Sequence, residues 1–184
     1  MCNGVFSNLT GEAVRGFRAP FFSVTRQSLW ALEVLKQQGY DYDCSISPIV
    51  TWRYGIEGAP ENLYYLREVD LWEYGLSTTS FLGKKWAIGG AYFRIFPYFI
   101  FKKGFAALQK QQQSGMYYCH PWEYDPEHPY LPQMEWKAKL THYTGLKKML
   151  PRTRQMLQNF SFTTVAALIG QQQHLKTSRS ISLY

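Results

Sequence analysis

The sequence predicts an α/β protein, and three observations carry that reading. Stretches with helical spacing of apolar residues alternate with short β-type stretches along most of the chain. Pro and Gly punctuate the boundaries between them. The chemistry-bearing residues Arg18, Asp43 and His120 fall at or within the β-type stretches. That is their usual place in barrels and open α/β sheets, where loops at one end of the strands build the site.

In order, Val14–Phe17 reads as a short strand running into Arg18-Ala19-Pro20, where Pro20 pushes Ala19 into an extended conformation. Ser23 or Thr25 caps a helix whose inward stripe is Leu29, Leu32 and Leu35, with Trp30 and Val34 beside it, and which Gly39 ends. Residues 40–46 alternate as a strand. Tyr40, Tyr42, Cys44 and Ile46 share one face; Asp41, Asp43 and Ser45 share the other, expected to be solvated. A Pro- and Gly-bearing loop spans 47–63, two short strands lie in 64–79, and Gly83 and Gly89-Gly90 mark another loop. Pro97 suits the first turn of a helix reaching about Gln113. Met116–Cys119 reads as a buried strand stopping at His120, and 124–135 as a loop. A helix over about 146–158 is broken or restarted at Pro151. Phe160–Phe162 is a last strand, and Thr163 or Thr164 caps a short helix that Gly170 closes. The polar segment 171–184 is expected to be a frayed, disordered tail.

The chain has 184 residues, about one domain's worth, and is 46% apolar with 18% charged residues, a globular composition. No apolar run approaches the roughly 18–20 residues of a spanning helix, and no Sec signal peptide opens the chain. Three widely spaced cysteines, Cys2, Cys44 and Cys119, point to a reducing, cytoplasmic setting and to no cysteine zinc site. The net charge of +7 is uneven. Residues 1–100 hold nine basic and nine acidic side chains; the remainder hold eleven and four. The basic residues are scattered, and no helix-turn-helix, zinc finger or RNP signature accompanies them, so a nucleic-acid partner is not expected.

His120 is the first candidate for chemistry. It follows an apolar stretch and precedes Pro121, Trp122 and Glu123. The indole can shield the imidazole and the carboxylate can orient or charge it, which makes a general acid or base near neutral pH. A structural histidine tied to the backbone is the competing reading. Arg18, between Gly16 and Pro20, can fork onto a carboxylate or a substrate oxygen, or be a plain surface arginine. His128, His142 and His174 have no evident ligand partners, and spacing alone assembles no metal site.

At these residues the sequence resembles the C-terminal part of a polysaccharide deacetylase of the nodulation/chitin deacetylase superfamily. Within it, the sequence is most similar to the bacterial subgroup linked to exopolysaccharide and exosortase loci. The resemblance runs in order over about residues 9–168. It starts with Val14-Arg15-Gly16-Phe17-Arg18-Ala19-Pro20-Phe21-Phe22-Ser23 and Trp30–Leu35, followed by Gly39-Tyr40-Asp41-Tyr42-Asp43-Cys44-Ser45-Ile46 and Arg53–Ile56. It goes on with Gly89-Gly90-Ala91-Tyr92-Phe93-Arg94, Tyr118-Cys119-His120-Pro121-Trp122-Glu123-Tyr124-Asp125-Pro126, His142-Tyr143 and Phe160–Thr164.

The resemblance implies that residues 1–170 are the C-terminal portion of a distorted (β/α) barrel whose N-terminal strands are missing. It also implies metal-dependent removal of N-acetyl groups from sugar polymers. In the family a divalent metal, zinc by expectation, polarises the amide and activates water, an aspartate takes a proton and a histidine protonates the leaving amine. By resemblance His120 is that acid. Arg18, with Pro20, matches the motif that orients the base, and Asp43 matches a family aspartate. Trp122 walls the substrate acetyl group or supports His120, with Glu123 beside it. The paired aspartates and paired histidines that hold the family's metal are not on this sequence, and a segment the family writes His-Asp-Arg-Tyr-Gly is here Thr51-Trp52-Arg53-Tyr54-Gly55. The expected protein is therefore a truncated or split deacetylase, completed by the missing N-terminal half as a separate chain. The other reading is a non-catalytic carbohydrate-binding remnant with Tyr92, Phe93 and Trp122 as platforms. Part of a barrel is also expected to expose strand edges and apolar surface.

Overall fold

The computed structural model describes residues 2–52 and 54–183, the side chains of Cys2, Asn3 and Leu175 excepted; Arg53 of the Thr51–Gly55 segment therefore lies outside the described residues. The elements in chain order are α1 (Cys2–Thr10), β1 (Gly16–Phe17), α2 (Trp30–Gln37), β2 (Tyr42–Asp43), β3 (Asn62–Leu66), β4 (Leu71–Gly75), β5 (Thr78–Phe81) and β6 (Lys84–Ala87). There follow α3 (Gly90–Ile95), α4 (Tyr98–Lys110), α5 (Trp136–Tyr143), α6 (Leu146–Asn159), α7 (Val165–Gln172) and β7 (Ser180–Ile181). The class is α/β, as expected. No helix among the described residues is long and apolar enough to cross a membrane. The chain divides into two compact units, residues 1–76 with 163–184 and residues 77–162, where the sequence suggested one domain.

The first unit is built on a mostly parallel five-stranded sheet of order β1-β2-β4-β3-β7, in which only β3 and β4 run antiparallel. The register puts Phe17, Asp43, Glu73 and Tyr64 in one row across β1, β2, β4 and β3. Leu29, Leu32 and Leu35 bury against Ile46, Ile56, Leu66 and Leu71, each such side chain contributing about 1.5–3 kcal/mol. The expected stripe is therefore the inward one, while Trp30 stays exposed. Thr25 and Ser28 exchange capping hydrogen bonds ahead of α2, and Gly39 takes the left-handed conformation after it.

The tail does not fray. β7 pairs in parallel with β3, the Arg179 guanidinium donates to the Leu63 carbonyl at 3.2 Å, and Leu183 is buried in the core. Lys176 lies over the Tyr65 ring and bonds Asp70. Polar composition concealed this, because the pairing is made by backbone and by long cationic stems rather than by an apolar run.

The second unit packs helices on the hairpin of β5 and β6. Leu82 and Gly83 at its tip both have positive φ, the geometry of a tight two-residue turn. The sequence reading placed Gly83 in a loop and missed β6, α3 and α5. Pro97 does precede α4, as expected. Met116–Cys119 is not a strand; Tyr118 makes one bridge to Gly89. Phe160–Phe162 is no strand either. The core joins Ile88, Phe93, Phe101, Phe105, Met149 and Met156. α6 continues through Pro151. Its inward residues Leu146, Met149 and Met156 are buried, and Arg152 donates to the Phe93, Arg94 and Phe96 carbonyls at the end of α3. α7, capped by Thr164, likewise runs past Gly170 to Gln172.

Candidate functional site

In the first unit, Arg18 and Pro20 sit on the turn after β1. Phe21 and Phe22 both hold φ near +60° or just below, a strained conformation for bulky residues and one that clusters at functional sites. Ser45 ties this turn to β2. Its hydroxyl accepts from the Ala19 N–H at 2.7 Å and donates to Asp43 at 2.6 Å. The Arg18 guanidinium lies 5.5 Å from the Phe22 ring centre and acts on Cys44, whose thiol burial nevertheless pushes up to about 12.

Asp43 is fully buried, which corrects the solvated face expected for it; Asp41, also on that face, remains half-buried and pairs with Arg15. Asp43 stands directly beside Glu73, a residue the sequence reading passed over. Two neighbouring carboxylates without water cannot both ionise. Burial raises both groups, and the adjacent Asp43 raises Glu73 further, well above its ordinary range. Glu73 Oε1 accepts from the Ile46 N–H at 3.0 Å, while Oε2 is buried with no donor to accept from. A protonated Glu73 resolves that geometry, donating to the Asp43 carboxylate. Its only signal in the sequence was position: Glu73 is the one charged residue inside an otherwise apolar and aromatic strand.

In the second unit, His120 is the exposed entry to a tight turn over Pro121–Tyr124. Its ring stacks parallel to the Trp122 indole with centres 5.9 Å apart and meets Tyr118 edge-on. Trp122 therefore flanks the imidazole without removing it from water, a correction to the shielding expected of it. Glu123 reaches the backbone of His120. Its carboxylate is fully buried, accepts from the His120 backbone N–H at 2.7 Å and takes an ion pair from Arg94 at 2.8 Å. It holds His120 through the main chain. Arg94, also buried, donates its remaining hydrogen bonds to the carbonyls of Thr141, His142 and Thr144 at the end of α5, and its guanidinium sits 5.2 Å from the Trp122 ring centre.

His128 and His142 face each other with Nε2 atoms 2.7 Å apart. His142 stacks on Trp122 at 4.1 Å and His128 on Tyr143 at 5.0 Å. Burial, the neighbouring His128 and Arg94 all lower the proton affinity of His142. Phe93, offered as a platform, is wholly buried and belongs to the core; Tyr92 packs against Trp86 and Phe96.

The donors present do not fit a divalent metal centre. Among the described residues no three His, Cys, Asp or Glu side chains gather to hold an ion. Asp43 and Glu73 are engaged with each other, and the two histidine nitrogens that meet lie close to the cationic Arg94.

The family described as "Domain of unknown function (DUF3473)" matches residues 44–170, more than half of the chain. The chain belongs to this family. The domain occurs in the polysaccharide deacetylase family. Glu73, Arg94, His120, Trp122, Glu123 and His142 fall inside the matched region, and Arg18, Pro20 and Asp43 precede it. No curated protein and no solved structure matches the chain.

Proposed function

We propose that the chain is the C-terminal portion of a polysaccharide deacetylase, a hydrolase of exopolysaccharide metabolism that removes N-acetyl groups from sugar polymers. Its α/β fold forms part of a distorted barrel, and it works with a segment carrying the metal-binding motifs. The observation that carries this reading is the way His120 is held. An exposed imidazole stands on a turn fixed by a buried Glu123–Arg94 pair, inside a domain that occurs in the deacetylase family.

Hydrolysis adds water to the acetamide carbon, breaks the C–N bond and leaves acetate and a free amine. The amine must be protonated as it departs, and the His120 imidazolium supplies that proton, a contribution of about 10²–10⁴ in rate. Trp122 offers an apolar wall for the acetyl methyl. In the first unit, Ser45 and Asp43 fix the turn that carries Arg18.

The test mixes the chain with a polypeptide bearing the paired aspartates and paired histidines of a polysaccharide deacetylase, zinc and N-acetylglucosamine oligomers. Acetate release is expected from the mixture and about 100-fold less with His120→Ala. Equal rates for the two forms overturn the acid role. Binding of oligomers with no acetate from any mixture favours the non-catalytic carbohydrate-binding reading instead.

A further inference from the structure

α5 is a helix that contributes nothing to the core: none of its residues is buried. Its eight residues are too few to hold a helix in water on propensity alone. What holds it is its C-terminal end. Arg94 donates to the Thr141, His142 and Thr144 carbonyls, while His142 and Tyr143 stack on Trp122 and His128. The start of the helix stands in water. Trp136 is 66% exposed and Leu140, one turn on and on the same face, 59%.

The loop ahead of α5 is tied to it. The Leu131 N–H donates to the Tyr143 hydroxyl at 2.8 Å, which donates in turn to the Pro129 carbonyl at 3.0 Å. The Lys139 ammonium donates to the Pro132 carbonyl at 2.7 Å and lies 5.1 Å from the centre of the Tyr130 ring. Tyr130 and Leu131 are exposed, and Lys137 lies over the Trp136 ring. Aromatic and leucine side chains are thus mixed with lysines on an ordered loop and helix. Between Pro129 and Lys148 one acidic residue, Glu135, stands against four lysines in the sequence. The second unit as a whole holds twelve basic and four acidic side chains, against eight and nine in the first. The positive charge of the chain therefore resides in the unit that carries this apolar surface.

We infer that α5 and the loop ahead of it seat the second unit on an anionic lipid bilayer, with Tyr130, Leu131, Trp136 and Leu140 entering the headgroup layer and Lys137 and Lys139 meeting lipid phosphates. Indole and phenol rings, apolar with one polar atom, suit the headgroup boundary, and lysine stems lie along apolar surface while their charge reaches outward. Helices of this composition lie in the plane of the interface, drawn there by anionic lipid. A protein partner fits less well, because lysine is depleted from the cores of protein interfaces. Single-stranded nucleic acid also fits less well: two of the four apolar side chains are leucines, which offer a base no ring to stack on. The inference does not rest on the deacetylase reading.

The experiment sediments the full chain with vesicles of phosphatidylcholine alone or with about one-third phosphatidylglycerol, at low and high salt. Binding is expected to the anionic vesicles only and should weaken with salt. Lys137→Gln with Lys139→Gln should weaken it about ten-fold or more, and so should Trp136→Ala with Leu140→Ala, while His120→Ala leaves it unchanged. Lipids brominated in their acyl chains should quench part of the fluorescence of the bound parent chain, and Trp136→Phe should remove that part. The quenching decides the matter even where a double variant fails to fold. The inference is overturned by absent or equal binding to the two vesicles, by undiminished binding in both double variants, or by quenching that Trp136→Phe does not alter. Preferential binding of oligothymidylate overturns it in favour of nucleic acid. Loss of vesicle binding in the reconstituted mixture overturns it in favour of the partner segment as the occupant. Vesicle binding without acetate release from that mixture leaves the inference standing and removes only the deacetylase reading.

Discussion

The Glu73 carboxyl binds its proton more tightly in the folded chain than in the unfolded one, because burial and the adjacent Asp43 both oppose a second charge. The contribution to stability is complete below the ordinary value of 4.5 for a glutamate and is lost as pH rises above it. Glu73→Gln copies the protonated form, with an acceptor for the Ile46 N–H and a donor for Asp43. The variant should match the parent near pH 4 and exceed it by about 1–3 kcal/mol at pH 8, the scale of a buried polar group left unpaired. Urea unfolding at several pH values measures the difference. A constant gap across that range would show that Glu73 is ionised in the folded chain. Asp70 has the opposite sign. Lys176, Lys36 and the Tyr65 hydroxyl hold it well below the carboxylate range, so its contribution is present above the ordinary value and fades in acid. Neither behaviour could be read from residue type. Asp43 and Glu73 are 30 positions apart, and only strand register makes them neighbours.

Elements that close on themselves were legible; elements that lean on distant charges were not. α2 announced itself by its leucine stripe and Gly39, and α4 by Pro97. α3 and α5 escaped because they are short and end on arginines from elsewhere in the chain. Arg152 serves the three carbonyls closing α3, and Arg94 serves three near the end of α5. A helix C-terminus leaves its last carbonyls unpaired, and a guanidinium answers several at once. Arg94 does this while paired to Glu123, so its loss opens two faults together: orphaned carbonyls and an unpaired buried carboxylate. Arg94→Met should therefore destabilise the chain by about 3–5 kcal/mol, the range for breaking a buried pair. Arg94→Lys keeps the charge but has no planar fork, so it should recover only part. Thermal or urea denaturation ranks the three proteins. If methionine and lysine behaved alike, the hydrogen-bond count rather than the charge would be what stabilises this turn.

Across the whole molecule, the candidate residues divide between two units, and that explains why sequence reading went only so far. Arg18, Pro20 and Asp43 belong to the first unit, and His120, Trp122 and Glu123 to the second. Motifs revealed each group, whereas the partners that fix them, Ser45, Glu73 and Arg94, are set by tertiary packing. The sheet ends, among the described residues, on β1 and β7, two residues each. Edges so short offer little template for another strand, which tempers the exposure expected of a partial barrel. The donor inventory yields a whole-chain prediction. A metal bound at 100 times its dissociation constant would stabilise the fold by about 2.7 kcal/mol, a shift of several degrees in Tm. Among the described residues no three donors converge, and burial, His128 and Arg94 all disfavour a cation at His142. Zinc added to the chain alone should therefore leave Tm unchanged, as should its removal by a chelator. In the reconstituted mixture the zinc effect should appear together with acetate release. A zinc-dependent rise in the isolated chain, abolished by His128→Ala, would instead mark the histidine pair as a metal site and overturn the division of labour proposed between the two segments.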